Sequence, residues 1–188
     1  MEPVKLFMLL LGSKPQQRNT EQHDVFFSIG TGLKDLLPEI YAFWPEAQQK
    51  IHIDAWREVT QVDGYNVTVL PKGEVTTAAA GTAKLFFINL GGYKPYEFEE
   101  FHYKMLAAAS DKGVAIQKSK QTAFFQHTGF ENAGSHVDDK YGIDVDDMYE
   151  ITDILPPAIK DKYSIVLSVA TGNKTDEFNL GYTRLGKL

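Results

Sequence analysis

The sequence predicts an α+β fold of two pseudo-symmetric β-β-α-β-β units packed as an internal dimer, each a sheet layer covered by a helix layer. Three observations lead there. KLFMLLLGSKP, beginning at Lys5, returns as KLFFINLGGYKP at Lys84, so a unit is written twice. HID…VDGYNVT, beginning at His52, returns as HVD…VDDMYEIT at His136. Between these landmarks the first half changes from a period of two to a period near 3.6, the mark of strands followed by a helix.

The elements follow in order. VKLFMLLLG is a continuous apolar run ended by Gly12, which reads as a strand buried on both faces. The same run recurs in mid-chain, so a targeting peptide does not explain it. In HDVFFSIG, Val25, Phe27 and Ile29 alternate with Asp24, Phe26 and Ser28, a second strand. Leu33, Leu36, Leu37, Ile40 and Tyr41 then form one helical stripe. Thr31 is its expected N-cap, Pro45 lies past its end, and Pro38 inside the stripe predicts a kink. KIHIDAWREV and YNVTVL read as two strands joined at the hairpin signal Asp63-Gly64.

The second half repeats the order. KLFFINLGG and FHYKMLAAA are strands, Ser110 caps a helix running to about Phe124, and HVDDKYGIDV and MYEITDIL are strands again. In the tail, SIVLSV is one strand and FNLGYTRL a last one. The first unit is expected over residues 4–72 and the second over 83–155. Residues 156–188 form a C-terminal extension, and the whole makes one compact body because a unit of about 70 residues builds a marginal core alone.

An apolar fraction of 43% and an aromatic fraction of 12% over 188 residues exclude a disordered chain. A formal net charge of −6 argues against nucleic-acid binding, which needs Lys and Arg to neutralise phosphates. No apolar stretch approaches the roughly 20 residues of a membrane helix. The absence of cysteine excludes disulfides, thiolate metal sites and a cysteine nucleophile, and is compatible with the cytoplasm, the expected location. The expected partner is a small molecule or another protein, and the expected state is a monomer or weak homo-oligomer.

Four of the five histidines occupy matched positions: His23 with His102, and His52 with His136. Their flanking acids match too, as Glu21-x-His23 with Glu100-x-His102 and His52-x-Asp54 with His136-x-Asp138. Residues two apart on a strand share a face, so each pair can converge on one ligand. Asp24 and Asp139 place further carboxylates beside them. The candidate ligand-binding residues are therefore His23, Asp24, His52, Asp54, His102, His136, Asp138 and Asp139.

Imidazole mixed with carboxylate suits zinc, iron, nickel or manganese, but no HExxH or similar motif identifies a metal or any other cofactor. The plainer reading is that each histidine bonds its neighbouring acid and fixes a strand register. No serine lies in GxSxG, and the acidic run Asp138-Asp139, Asp144, Asp146-Asp147 lacks the spacing of a calcium loop.

With KLF…LG-KP…EQHDV, HID…VDGY and LGGYKP…HVDDKYG-DVDD, the chain resembles, over roughly residues 4 to 154, the bacterial family known as domain of unknown function 1543. Members carry one or two copies of the unit, which implies two here. The resemblance implies no reaction, substrate or catalytic residue. The function expected is that of a non-enzymatic binding or interaction module. The alternative is a small-molecule or divalent-metal-dependent enzyme using the repeated His and Asp positions.

Overall fold

The structure, a computed structural model, describes residues 3–47, 50–74, 82–93, 96–127 and 144–188. It is α+β, dominated by antiparallel sheets with few helices. The chain divides into two compact units, one of Met1–Gly81 with Ile154–Leu188 and one of Thr82–Asp153.

In the first unit β1 (Lys5–Ser13) is flanked by β2 (Gln22–Gly30) and β3 (Ile51–Glu58), and the tail strand β10 (Asn179–Arg184) adds beyond β3. A central strand is covered on both faces, which is why its sequence is apolar without interruption. Phe7, Leu9 and Leu11 point to one face and pack with Phe26, Ile53, Leu36 and Ile40. Each such side chain, when fully buried, contributes about 1.5–3 kcal/mol. Trp44 and Trp56 pack against this cluster from its margin.

The helical stripe is not one kinked helix. A 3-10 turn over Leu33–Leu36 leads into α1 (Leu37–Phe43), so Pro38 falls in the first turn of α1, where its missing N–H leaves no bond unmade. Nor does Thr31 cap the turn with its side chain. Its backbone N–H and its hydroxyl both donate to Asp35 Oδ2, at 2.9 and 2.6 Å. Those two bonds, the hydroxyl's first, hold the Asp35 carboxyl below the usual carboxylate range.

Asp63 and Gly64 do form a two-residue turn, with φ of 49° and 78°, between β4 (Gln61–Val62) and β5 (Tyr65–Pro71). However, the partner of β5 along its length is not β3 but β9 (Tyr163–Val169), in a separate sheet ordered β4-β5-β9. The C-terminal segment thus supplies a strand to each sheet of the first unit. Buried Asp176 accepts hydrogen bonds from the backbone N–H and the hydroxyl of Thr60, tying that segment to the turn after β3.

In the second unit β6 (Lys84–Tyr93) lies between β7 (Glu100–Ala109) and β8 (Asp144–Glu150). The helix α2 (Lys112–His127) starts at Asp111, whose Oδ1 accepts the Val114 N–H at 3.0 Å; the capping side chain is Asp111 and not Ser110. MYEITDIL is not a strand to its end, because Ile151–Ile154 is a turn of helix, α3. Among the described residues the second unit therefore runs β-β-α-β and closes on a helix, and most of HVDDKYGIDV lies outside them. In the tail, α4 (Pro157–Lys160) precedes β9.

The registers of the two three-stranded groups agree position by position. Gly12 faces His23 and His52, while Gly91 faces His102 and Asp144. Lys5 Nζ donates to Glu58 at 2.7 Å, and Lys84 Nζ to Glu150 at 2.8 Å. A bulge leaves Asp54 out of the ladder opposite Leu10 and Leu11, and another leaves Asp146 out opposite Asn89 and Leu90. The strand position of His52 is accordingly matched by Asp144 and not by His136.

Candidate functional site

Phe7, Leu9 and Leu11 face α1, and the alternation of a strand sends Gly12 to the opposite face. Ladder partners share a face, so His23 of β2 and His52 of β3 flank Gly12 on that side. A Cβ on Gly12 would stand 2.3 Å from His52 Nε2 and 2.4 Å from Asp54 Oδ2. Glycine is required here because imidazole and carboxylate occupy the space a side chain would fill.

Four groups meet over that glycine. His52 Nε2 lies 3.2 Å from Glu21 Oε1 and 3.3 Å from Asp54 Oδ1. His23 Nε2 lies 3.3 Å from Asp54 Oδ2 and 3.8 Å from Glu21 Oε2. Each carboxylate thus spans the two imidazoles. The bulge in β3 supplies Asp54: Ala55 takes the place opposite Leu10, and the extra residue is re-aimed toward the histidines.

The His52 side chain is only 7% exposed, whereas those of His23 and Glu21 are 42% and 46% exposed. The cluster has a buried floor and an open rim. Despite its two carboxylate neighbours, His52 Nε2 makes no hydrogen bond, and neither does Asp54 Oδ2. Over His52 lies Tyr182 of β10, with ring centroids 4.3 Å apart. The register of β10 breaks between Leu180 and Thr183, and Gly181 at φ 124° turns the strand there.

The donor spacing has a chemical reading. Ligand bonds of about 2.0–2.1 Å in a tetrahedral site separate neighbouring donor atoms by about 3.4 Å. Three of the four N–O separations are 3.2 or 3.3 Å. These separations run to both oxygens of each carboxylate, Oε1 and Oδ1 at His52 and Oε2 and Oδ2 at His23, so imidazoles and carboxylates alternate in a ring that would have to draw closer to enclose a cation.

Asp24 is not among these groups. Its register partner Leu11 puts it on the α1 face, where its carboxylate accepts the Val25 N–H at 2.7 Å. His136, Asp138 and Asp139 lie outside the described residues. In the second unit His102 joins Glu100 and Asp146, with donor atoms within 4.8 Å of one another and all three residues exposed. His102 Nε2 is 3.2 Å from Asp146 Oδ2, and a Cβ on Gly91 would meet that same oxygen at 2.2 Å.

Sequence reasoning named Glu21 as a flanking acid without including it among the candidates, placed Asp146 only in an acidic run, and missed Tyr182. The signal for Asp146 was present in Gly91 at the end of its apolar strand, as Gly12 signals Asp54 in the first unit. Both glycines mark where side chains from neighbouring strands crowd over the backbone. Nothing local marks Tyr182, whose contact with His52 joins β10 to β3.

The family model described as Domain of Unknown Function (DUF1543) matches residues 18–69, one copy and less than half of the chain, where the resemblance implied two. That span holds Glu21, His23, His52 and Asp54. The crystal structure of a protein Il1583 from Idiomarina loihiensis is similar at a TM-score of 0.61 and 20% identity, covering 97% of each chain. This likeness is one of fold. None of the curated proteins matches the chain. No helix among the described residues is long and apolar enough to cross a membrane.

Proposed function

We propose that the protein is a binding module whose first unit holds a divalent transition-metal cation between His23, His52, Asp54 and Glu21. The observation that carries this reading is His52 Nε2, buried, without a hydrogen bond, and flanked by a Glu21 oxygen at 3.2 Å and an Asp54 oxygen at 3.3 Å. A buried polar atom left unpaired costs about 1–3 kcal/mol, and a cation removes that cost together with the mutual repulsion of Glu21 and Asp54. Mixed nitrogen and oxygen donors favour zinc, nickel, iron or manganese over calcium.

The matched registers support reading the two units as copies of one β-β-α-β scaffold in which the copies have diverged. At the position of His52 the second unit has Asp144, so among the described residues its cluster keeps one imidazole where the first has two. Tight transition-metal binding is assigned to the first unit. The exposed rim formed by His23 and Glu21 favours a second reading, a metal-dependent hydrolytic enzyme, because an open coordination position admits water or a substrate oxygen.

Titration of chelator-stripped full-length protein with zinc, nickel and manganese, followed by calorimetry, tests the proposal. One cation per chain is expected, with a dissociation constant on the order of micromolar or tighter. His52→Ala should weaken it at least about hundredfold, and His102→Ala should leave it unchanged. Absence of saturable binding for all three metals, or equal binding by the His52 variant, removes the proposal.

A further inference from the structure

The strand β10 brings to the histidine cluster two side chains that the cation site does not use. Tyr182 lies over the His52 ring, while Leu185, just past the end of β10, is buried in the hydrophobic cluster under α1. Successive residues of a strand alternate between faces, so Arg184 shares the face of Tyr182. The register agrees, because Arg184 is the ladder partner of His52. Directly opposed side chains on one face have Cβ atoms about 5 Å apart, which sets Arg184 beside the cluster.

Both side chains are available to a ligand. Tyr182 is 62% exposed although its ring lies against His52, so the other side of the ring is open. Arg184 is exposed too, and among the described residues its side chain forms no ion pair, with Glu21 and Asp54 of the adjoining cluster included.

Charge decides what such a rim attracts. Two neutral imidazoles and two carboxylates balance a divalent metal ion, so the loaded cluster is neutral and Arg184 makes its surroundings positive. An ammonium is repelled there, and a neutral molecule leaves the guanidinium unanswered. A carboxylate has two oxygens, one for the guanidinium and one for the side of the metal ion where His23 and Glu21 are exposed. The open side of Tyr182 adds a flat apolar wall, on which a ring stacks better than a small aliphatic group.

We propose that the metal-loaded cluster binds a small carboxylic acid carried on a flat ring. Arg184 holds the carboxylate and Tyr182 stacks on the ring. This assignment of a ligand class rests on the metal-binding reading above.

The test takes the isotope-labelled full chain, loads it with zinc, and then adds benzoate, benzamide or acetate to about 10 mM, reading amide shifts at His52, Tyr182 and Arg184. Benzoate should saturate at least about tenfold more tightly than benzamide, which has the ring without the charge. It should also exceed acetate, which has the charge without the ring, by at least about threefold. Arg184→Gln should remove the preference over benzamide, and Tyr182→Ala the preference over acetate. A chain that takes up no zinc overturns the metal-binding reading and this one with it. With zinc bound, three results overturn the ligand class and leave the metal site standing: equal binding of benzoate and benzamide, no saturable shift with any probe, or an undiminished benzoate preference in Arg184→Gln. A preference for benzoate that survives removal of the zinc overturns it as well.

Discussion

Replacing Gly12 by alanine should disable the cation site while sparing the fold. The added Cβ would meet His52 Nε2 at 2.3 Å and Asp54 Oδ2 at 2.4 Å, against an ordinary contact of about 3.5 Å. Each donor must therefore retreat by about 1 Å. Metal sites tolerate errors of only about 0.2 Å in ligand distance, and a misplacement of about 1 Å costs on the order of a hundredfold in function. The expected loss is at least about hundredfold in cation affinity, or about 2.8 kcal/mol.

The atoms that give way are the ends of side chains, and Gly12 is not among the glycines of positive φ, so alanine is sterically acceptable to its backbone. Removing a glycine from a strand returns about 0.5–1 kcal/mol, which offsets part of the crowding. The variant should thus melt within about 1 kcal/mol of the parent. Calorimetric titration and a denaturant melt, run on the same preparation, read the two quantities. Wild-type affinity in a folded Gly12→Ala protein would refute the reasoning, since the donors would then not be the ones the cation uses. Gly30→Ala is the contrasting control: its Cβ would meet Leu36 Cδ2 at 2.9 Å and Asp35 Cβ at 3.0 Å, which should lower stability and leave cation affinity alone.

Other outcomes follow from the same structure. Leu9→Ala, at a fully buried site in the cluster under α1, should destabilise the protein by about 2–5 kcal/mol in urea or guanidinium titration. Asp176→Ala should cost about 1–3 kcal/mol by stranding the Thr60 N–H, and limited proteolysis should then cut the tail before β10. Asp35 has a depressed folded pKa, so its contribution is present above the unfolded pKa and is lost as pH falls through the folded one. Thr31→Val removes the hydroxyl that is the largest cause, so the stability gap between parent and variant should shrink on acidification.

The strands β1, β2, β6 and β7 were legible because a doubly covered or alternating strand writes its burial directly into the order of apolar residues. Pairing partners were not. A hairpin signal at Asp63-Gly64 fixed the turn correctly, yet it carried no information that β5 would pair along its length with β9, just over a hundred residues later by the register Tyr65↔Val169. The slipped match of His52 to His136 arose in the same way. His-x-Asp resembles His-x-Asp more than it resembles Asp144-x-Asp146, but the ladder opposite Gly91 follows strand geometry rather than residue likeness. Ile151–Ile154 was misread because four residues are too few to separate a period of two from one of 3.6. In the site, His23, His52 and Asp54 were visible as repeated letters, while Asp24 was carried along by adjacency although the pleat turns it to the other face.

The first unit is discontinuous in the chain, since Ile154–Leu188 belongs with Met1–Gly81 and the second unit lies between them. Order of synthesis and order of folding are thereby separated. The second unit has all its residues before β9 and β10 have been made, so it can fold as a contiguous block while β3 and β5 each still lack one neighbour. Until then β3 is an open edge, the kind of row of unpaired N–H and C=O groups that recruits other chains. Closing it depends on contacts of long sequence separation, which form slowly. The arrival of β10 does two things at once: it seals that edge and brings Tyr182 over His52. A nascent or nicked chain lacking β10 would keep all four cluster donors and lose the ring over His52, which makes synthesis of β10 a checkpoint on assembly of the site.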